Sequence, residues 1–398
     1  MQLYRRTLAL PGVRTLMVLV FLARIPMSAS GMVLTLHVAV GLGHGYGAAG
    51  TAGAILTIGI ALGAPVMGRV VDRYGLRPMV IVTTLGEATF WLFGRYLPYP
   101  LLLAAGFVGG LLVLPSMSIG RQAIAALVPP ELRRTAYSMD SVSTELSFMV
   151  GPATAVLLAT QFSTATAMLA MAVGIAVVGA ALLVVNPAVR SEEENAAATG
   201  ERVPRRTWLT PRMVAVLIIA AGAVFILAGT EVAIVAQLRE NDELAYTGIV
   251  VVAWSAISAV GGLVYGALPR SPTQVTLMAW LGLLTVPIGL LSGEWWLLAV
   301  ALLPASALCA PTIAATGEEV SRLAPAAARG EATGMQSSAF TLGAAAGAPL
   351  VGFVVDHSSP GWGFALAGMG GVLVAAVAAV LIARQHRRAA DALPVPVG

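Results

Sequence analysis

Apolar residues run along this chain in long blocks, each about the length of a helix that crosses a bilayer's hydrocarbon core, roughly 20 residues. The blocks fall near residues 15–38, 47–70, 79–97, 101–126, 136–160 and 164–186. After a polar stretch they resume near 213–237, 245–267, 274–292, 295–317, 331–355 and 363–383. The pattern predicts an all-α membrane protein of twelve transmembrane helices. The first block is too long for a cleaved signal peptide and is expected to stay. Connectors are short except at 190–212, where Ser191-Glu192-Glu193-Glu194-Asn195 and a run of small residues predict a mobile linker. The expected domains are residues 1–189, a linker over 190–212, and 213–398 with a short tail.

Composition removes alternatives. Of 398 residues, 58% are hydrophobic and 11% charged, against about 25% charged in soluble domains. Mean hydropathy is +0.86. The net charge of +4 comes from 23 basic residues, all arginine. Sorted by connector, nineteen lie on one side, only Arg95 and Arg239 on the other, and Arg24 and Arg121 inside spans. That asymmetry places both termini and the linker in the cytoplasm of a multi-pass cell-membrane protein. It makes the charge a topology signal rather than a nucleic-acid surface. A single cysteine, Cys309, excludes an internal disulfide and a cysteine-based metal cluster. The four histidines form no His-x-x-x-His pair, so neither a metal nor a cofactor is expected.

The linker divides the chain nearly in half, and a shift of 196 residues tests for duplication. Leu127, Pro129 and Arg133 meet Leu323, Pro325 and Arg329. Ala136, Met139, Ser141, Leu146 and Gly151 meet Ala332, Met335, Ser337, Leu342 and Gly347. Eight ungapped identities over 25 positions exceed what shared apolar composition supplies. Two pseudo-symmetric six-helix bundles follow.

Between the second and third blocks stands Gly68-Arg69-Val70-Val71-Asp72-Arg73-Tyr74-Gly75-Leu76-Arg77. Gly68 permits close helix approach, Gly75 a turn at positive φ, and the arginines suit anionic headgroups. The stretch resembles G-x-x-x-D-R-x-G-(R/K)-(R/K), the loop between helices two and three of the major facilitator superfamily. Gly68, Asp72, Arg73 and Gly75 fall on its fixed positions, Arg77 supplies the second basic residue, and Leu76 departs. The resemblance covers essentially the whole chain. It implies parallel six-helix repeats with substrate bound at the midplane between them, and spans one, four, seven and ten lining a cavity. It further implies that Asp72 pairs with basic groups and with the start of span eleven, near Gly330-Glu331, as a conformational latch. A carboxylate at a helix N-terminus is favoured there by the free N–H groups and the dipole. Gly151-Pro152 is similar to the core of the fifth-helix motif of proton-coupled drug antiporters, although Ser138, Ser147, Ala155 and Val156 stand where that motif has glycines.

Ionisable residues within spans are costly in hydrocarbon and mark function. Arg24, Glu87, Asp140, Glu145 and Glu231 are the candidates for substrate contact or coupling. Asp140 and Glu145 lie five residues apart, about 140° on a helix, and so face different surroundings. Glu145, near mid-membrane, is expected to pair with Arg24. Asp140 is expected to join the cytoplasmic charges Arg73, Arg133 or Arg134, and Arg121 to snorkel to the cytoplasmic surface. Glu145 meets Thr341 and Asp140 meets Gln336 in the repeat, so the acids belong to the first half alone.

No G-x-x-x-x-G-K-(S/T) loop is present, which excludes ATP-driven transport by this chain. No nucleophile, base or metal set converges, so an enzyme is not expected. The expected function is secondary active transport by alternating access: proton-coupled efflux of a lipophilic or amphipathic compound by a monomer. The partners expected are a small-molecule substrate, protons and the lipid bilayer. Proton-coupled uptake of a small metabolite is the alternative, ahead of a non-transporting sensor or enzyme.

Overall fold

A computed structural model describes residues 2–191, 194, 203–268, 272–291 and 293–391, apart from the side chains of Tyr46 and 386–391. Among these residues the elements are helices and helical turns, with no strand. A short α1 (Gln2–Ala9), not anticipated from the apolar blocks, precedes α2 (Val13–Leu36), which runs into a π turn at His37–Gly41. Next come α3 (Gly45–Tyr74), α4 (Leu76–Gly94), α5 (Tyr99–Leu111), α6 (Ser116–Leu127), α7 (Pro130–Gln161) and α8 (Thr164–Val185). After a short α9 (Arg205–Trp208) come α10 (Pro211–Glu240), α11 (Thr247–Ala267), α12 (Gln274–Thr285), α13 (Trp295–Leu323), α14 (Arg329–His357) and α15 (Pro360–Asp391).

Among the described residues, eleven helical stretches are long and apolar enough to cross a membrane. The remaining one, α4, has 19 residues, about 28 Å at 1.5 Å per residue. Arg77, Pro78 and Glu87 dilute its apolar character. The linker expectation over 192–193 and 195–202, and the tail over 392–398, lie outside the described residues.

Contacts group the chain as Met1–Glu201 with Ala324–Thr341, and Arg202–Leu323 with Leu342–Gly398. The boundary differs from the linear halves expected, because the first part of α14 groups with the N-terminal helices. Within the first unit, Asp140, Thr144, Ser147 and Gly151 form a buried stripe along α7. Their spacing of i, i+4, i+7, i+11 puts them on one helix face. A side chain on Gly151 would strike Ser28 and come within 2.8 Å of the Ile25 carbonyl of α2. The stripe therefore lets α7 lie directly on α2, as small residues do in lipid. The third and sixth spans close over Phe90, Trp91, Met168, Met171 and Ile175.

The second unit repeats this logic. Gly343 and Gly347 of α14 press on the backbone of Ala221 and Phe225 in α10. Gly347, Ala221 and Phe225 each stand 196 residues beyond Gly151, Ile25 and Ala29. Likewise Gly63 meets the backbone of Leu111 in the first unit, and Gly261 that of Ala307 in the second. Of these glycines, Gly151 and Gly347 stand at the 196-residue offset and play the same part in the two units.

The fourth span corrects the expectation of one continuous helix. It breaks between Leu111 and Ser116, because Pro115 has no N–H and disfavours helical backbone at the residue before it. An unsatisfied N–H in a membrane interior costs several kcal/mol, of order 2–7. Here the Leu114 N–H donates to Glu87 Oε2 at 2.8 Å. The equivalent residue in the repeat, Ala310, donates to Ser258 Oγ at 3.2 Å, next to Pro311.

Candidate functional site

The buried stripe on α7 brings Asp140 against Arg24. Arg24 donates to Asp140 Oδ1 at 2.7 Å and to the Asp140 carbonyl at 3.2 Å. Neither side chain is reached by solvent beyond 2%. This corrects the expected Arg24–Glu145 pair. Glu145 lies one residue past Thr144, off the stripe and half-buried, so its azimuth differs from that of Asp140. It also corrects the placing of Asp140 among the cytoplasmic arginines. Arg133 instead donates to the Val128 and Ala125 carbonyls at the end of α6.

Arg121, on α6, completes a three-residue cluster. It does not snorkel: it is 3% exposed, with Nε 3.7 Å from Asp140 Oδ2. Its guanidinium lies 4.8 Å from the centroid of Phe340, in the part of α14 that belongs to the first unit. Tyr137 donates to the Arg121 carbonyl at 3.1 Å and ties α7 to α6. Gly120 leaves the space in which the pair forms: a Cβ there would stand 3.2 Å from the Arg24 guanidinium and 3.4 Å from Asp140. Three atoms of the cluster, Arg24 Nε, Arg121 Nε and Asp140 Oδ2, have no hydrogen-bond partner. The small-residue stripe at helical spacing was the sequence signal that could have singled out Asp140. Arg121 was visible as a charge inside a span, but its partner was not, and nothing local pointed to Phe340.

Two further candidates have other surroundings. Glu87 is buried and holds the break of the fourth span through Leu114. Glu231 is exposed on α10, in the second unit.

A second site surrounds the glycine-rich loop. Gly75, at φ 85°, ends α3 and starts α4. Asp72 accepts the Gly330 and Glu331 N–H groups, each at 2.8 Å, one on each carboxylate oxygen. A side chain on Gly68 would strike the Gly330 carbonyl, and one on Gly330 would come within 2.6 Å of Asp72 Oδ1. The two glycines therefore permit a backbone-to-backbone approach. Arg69 pairs with Glu331 at 3.0 Å. The basic neighbour of Asp72 is Arg190, at the end of the sixth span, which donates to the Asp72 carbonyl at 2.6 Å. Arg73 and Arg77 are exposed, and Arg73 lies over the Tyr74 ring at 5.0 Å.

Past Arg190, the Glu194 carboxylate takes both terminal nitrogens of Arg329, at 2.6 and 3.0 Å. It also accepts the Ser191 N–H at 3.0 Å. Burial alone would raise the Glu194 carboxyl. The Arg329 hydrogen bonds, the Ser191 N–H and the charges of Arg329 and Arg133 outweigh it and hold the group below the ordinary carboxylate value.

The Major Facilitator Superfamily family model matches residues 16–292 and 243–397. This chain belongs to the major facilitator superfamily. A search of curated proteins finds no match. Among solved structures, the human organic anion transporter MFSD10 (TETRAN) superposes with a TM-score of 0.71 at 19% identity, covering 92% of this chain and 100% of that one. The proton:xylose symporter XylE gives 0.68 at 15%, covering 91% and 94%. A bacterial homologue of the iron transporter ferroportin gives 0.70 at 15%, covering 94% and 98%. At these identities the likeness is one of fold. The facilitator fold and family membership make this multi-pass membrane protein a secondary transporter of small-molecule substrates, not an enzyme.

Proposed function

We propose that this transporter carries a small amphipathic organic solute across the cell membrane in a proton-coupled cycle, as a monomer with both termini cytoplasmic. The observation that carries the proposal is the solvent-excluded Arg24–Asp140 pair at 2.7 Å. A carboxylate in hydrocarbon is disfavoured when charged and rescued by an adjacent guanidinium. A solute or water entering at Arg24 loosens that pair and makes Asp140 the group that takes up or gives back a proton. Asp140 therefore replaces Glu145 as the coupling acid, and Glu145 and Glu231 are secondary.

Asp72, with Gly68 and Gly75 shaping its approach, serves as the latch. Its two hydrogen bonds join the second span to the first turn of the eleventh, so forming or breaking them biases the alternating states. Arg73 and Arg77 act as surface charges that fix the loop's side.

The direction follows from the sign of coupling at Asp140. Export in exchange for protons requires solute and proton to compete for the site; uptake with protons requires them to bind together. For a negatively charged solute, two arginines against one carboxylate favour the second, and on that ground we prefer uptake to the expected export. Proteoliposomes holding the purified protein test this with a panel of radiolabelled amphipathic carboxylates, amides and amines. An acid exterior should drive accumulation of at least one member beyond equilibrium. Accumulation driven only by an acid interior would restore export, and none under either gradient would remove proton coupling.

A further inference from the structure

The cluster around Asp140 does not balance its own charge. Arg24 and Arg121 are both permanently protonated, and both are buried. Among the described residues they are paired with one carboxylate, Asp140, which makes its short contacts with Arg24 and stands 3.7 Å from Arg121 Nε. A surplus guanidinium in hydrocarbon is costly and signals a partner that comes and goes. Its surroundings fit an amphipathic visitor. Arg121 Cζ lies over the Phe340 ring, 4.8 Å from its centroid, while Met27 and Met117 touch Ser116 and Thr144. Methionine adapts its shape to irregular apolar bodies.

We infer that the transported solute is an organic anion whose carboxylate-like group is received by Arg121, beside the Arg24–Asp140 pair, with its apolar part against Phe340, Met27 and Met117. Planar guanidinium suits a planar carboxylate, which it binds through two parallel hydrogen bonds. Asp140 is faced by Arg24 from α2 and Arg121 from α6; Tyr137 of α7 donates to the Arg121 carbonyl, and uncharged Phe340 from α14 lies over Arg121. Neutralising Asp140 leaves both guanidiniums to the anion, so proton and anion favour each other's binding. The inference rests on the proposed transport cycle only for the word solute; the anion site stands on the cluster itself.

Thermal unfolding of the detergent-purified protein tests it with three probes of one carbon skeleton: 4-phenylbutyrate, its primary amide and 4-phenylbutylamine. Phenylbutyrate should raise the midpoint by several degrees, and the amide and amine much less. Arg121→Gln should raise the midpoint of the ligand-free protein, because it removes the surplus charge, and abolish the phenylbutyrate shift. Arg121→Lys should keep part of that shift. Asp140→Asn should bind phenylbutyrate about tenfold more tightly or better, the factor that 1.4 kcal/mol supplies. Equal or larger shifts with the amide or amine, no shift with any probe, or a phenylbutyrate shift that survives Arg121→Gln would overturn the anion site. Those results would leave proton-driven transport standing and remove only the argument for uptake over export. Conversely, a phenylbutyrate shift lost in Arg121→Gln, together with transport indifferent to pH gradients, would keep the site and remove the cycle.

Discussion

The Glu87 carboxylate accepts the backbone N–H of Leu114 at 2.8 Å, inside the break of the fourth span. A membrane acid that resembles a coupling group is thereby occupied with backbone repair, a task that the Ser258 hydroxyl performs for Ala310 in the second repeat. The break also sets the course of α6, which carries Gly120 and Arg121 to Asp140.

Glu87→Gln keeps an acceptor for Leu114, so it should fold and retain gradient-driven transport. Glu87→Leu leaves the N–H without a partner and should destabilise by about 1–3 kcal/mol, read as a lowered unfolding midpoint. Loss of gradient-driven transport in a stably folded Glu87→Gln would return Glu87 to the coupling pathway.

Asp72→Asn removes the charge and one of two acceptors at the start of α14. Hydrogen bonds to charged groups contribute about 1.5–3 kcal/mol, enough to shift a two-state population about tenfold or more. Transport should slow while membrane insertion and probe binding stay near normal. Gly330→Ala should act alike, because its Cβ would crowd Asp72. A normal transport rate in both variants would make the loop only a topological signal.

The Glu194–Arg329 clasp predicts a pH dependence with a definite sign. The folded value of Glu194 is depressed, so its contribution is present above the unfolded carboxylate value, about 4.3, and fades as pH falls through the lower folded value. The difference in unfolding midpoint between wild type and Glu194→Gln should be full at neutral pH and vanish in strong acid. A difference that grows on acidification would contradict the pairing.

Sidedness can be measured with single cysteines, since the native Cys309 is buried and replaceable by alanine. Thr207 and Tyr96 are both exposed. A membrane-impermeant thiol reagent added to intact cells should label Tyr96→Cys and spare Thr207→Cys. The reverse pattern would invert the topology.

The spans, the repeat and the glycine-rich loop were legible because each rests on local pattern: apolar length, identities at a fixed offset, and a motif with its own turn chemistry. The partners were not. Arg24 and Asp140 are 116 residues apart, and spacing along α7 says only that Asp140 and Glu145 point differently, not which one meets α2. The small residues Thr144, Ser147 and Gly151 decide that, by marking the face that packs. Arg190 reaches Asp72 across 118 residues, which no loop motif encodes. The break at Pro115 was visible as a proline, but its consequence depended on an acceptor waiting in another helix.

The central claim is that Asp140, held by Arg24, couples solute to protons. It is tested most directly by comparing Asp140→Asn with Glu145→Gln in proteoliposomes, using the panel member that wild type accumulates. Asp140→Asn should lose accumulation driven by the pH gradient while still exchanging labelled for unlabelled solute without a gradient, and Glu145→Gln should keep both. Full gradient-driven accumulation by Asp140→Asn, or its loss in Glu145→Gln alone, would contradict the account.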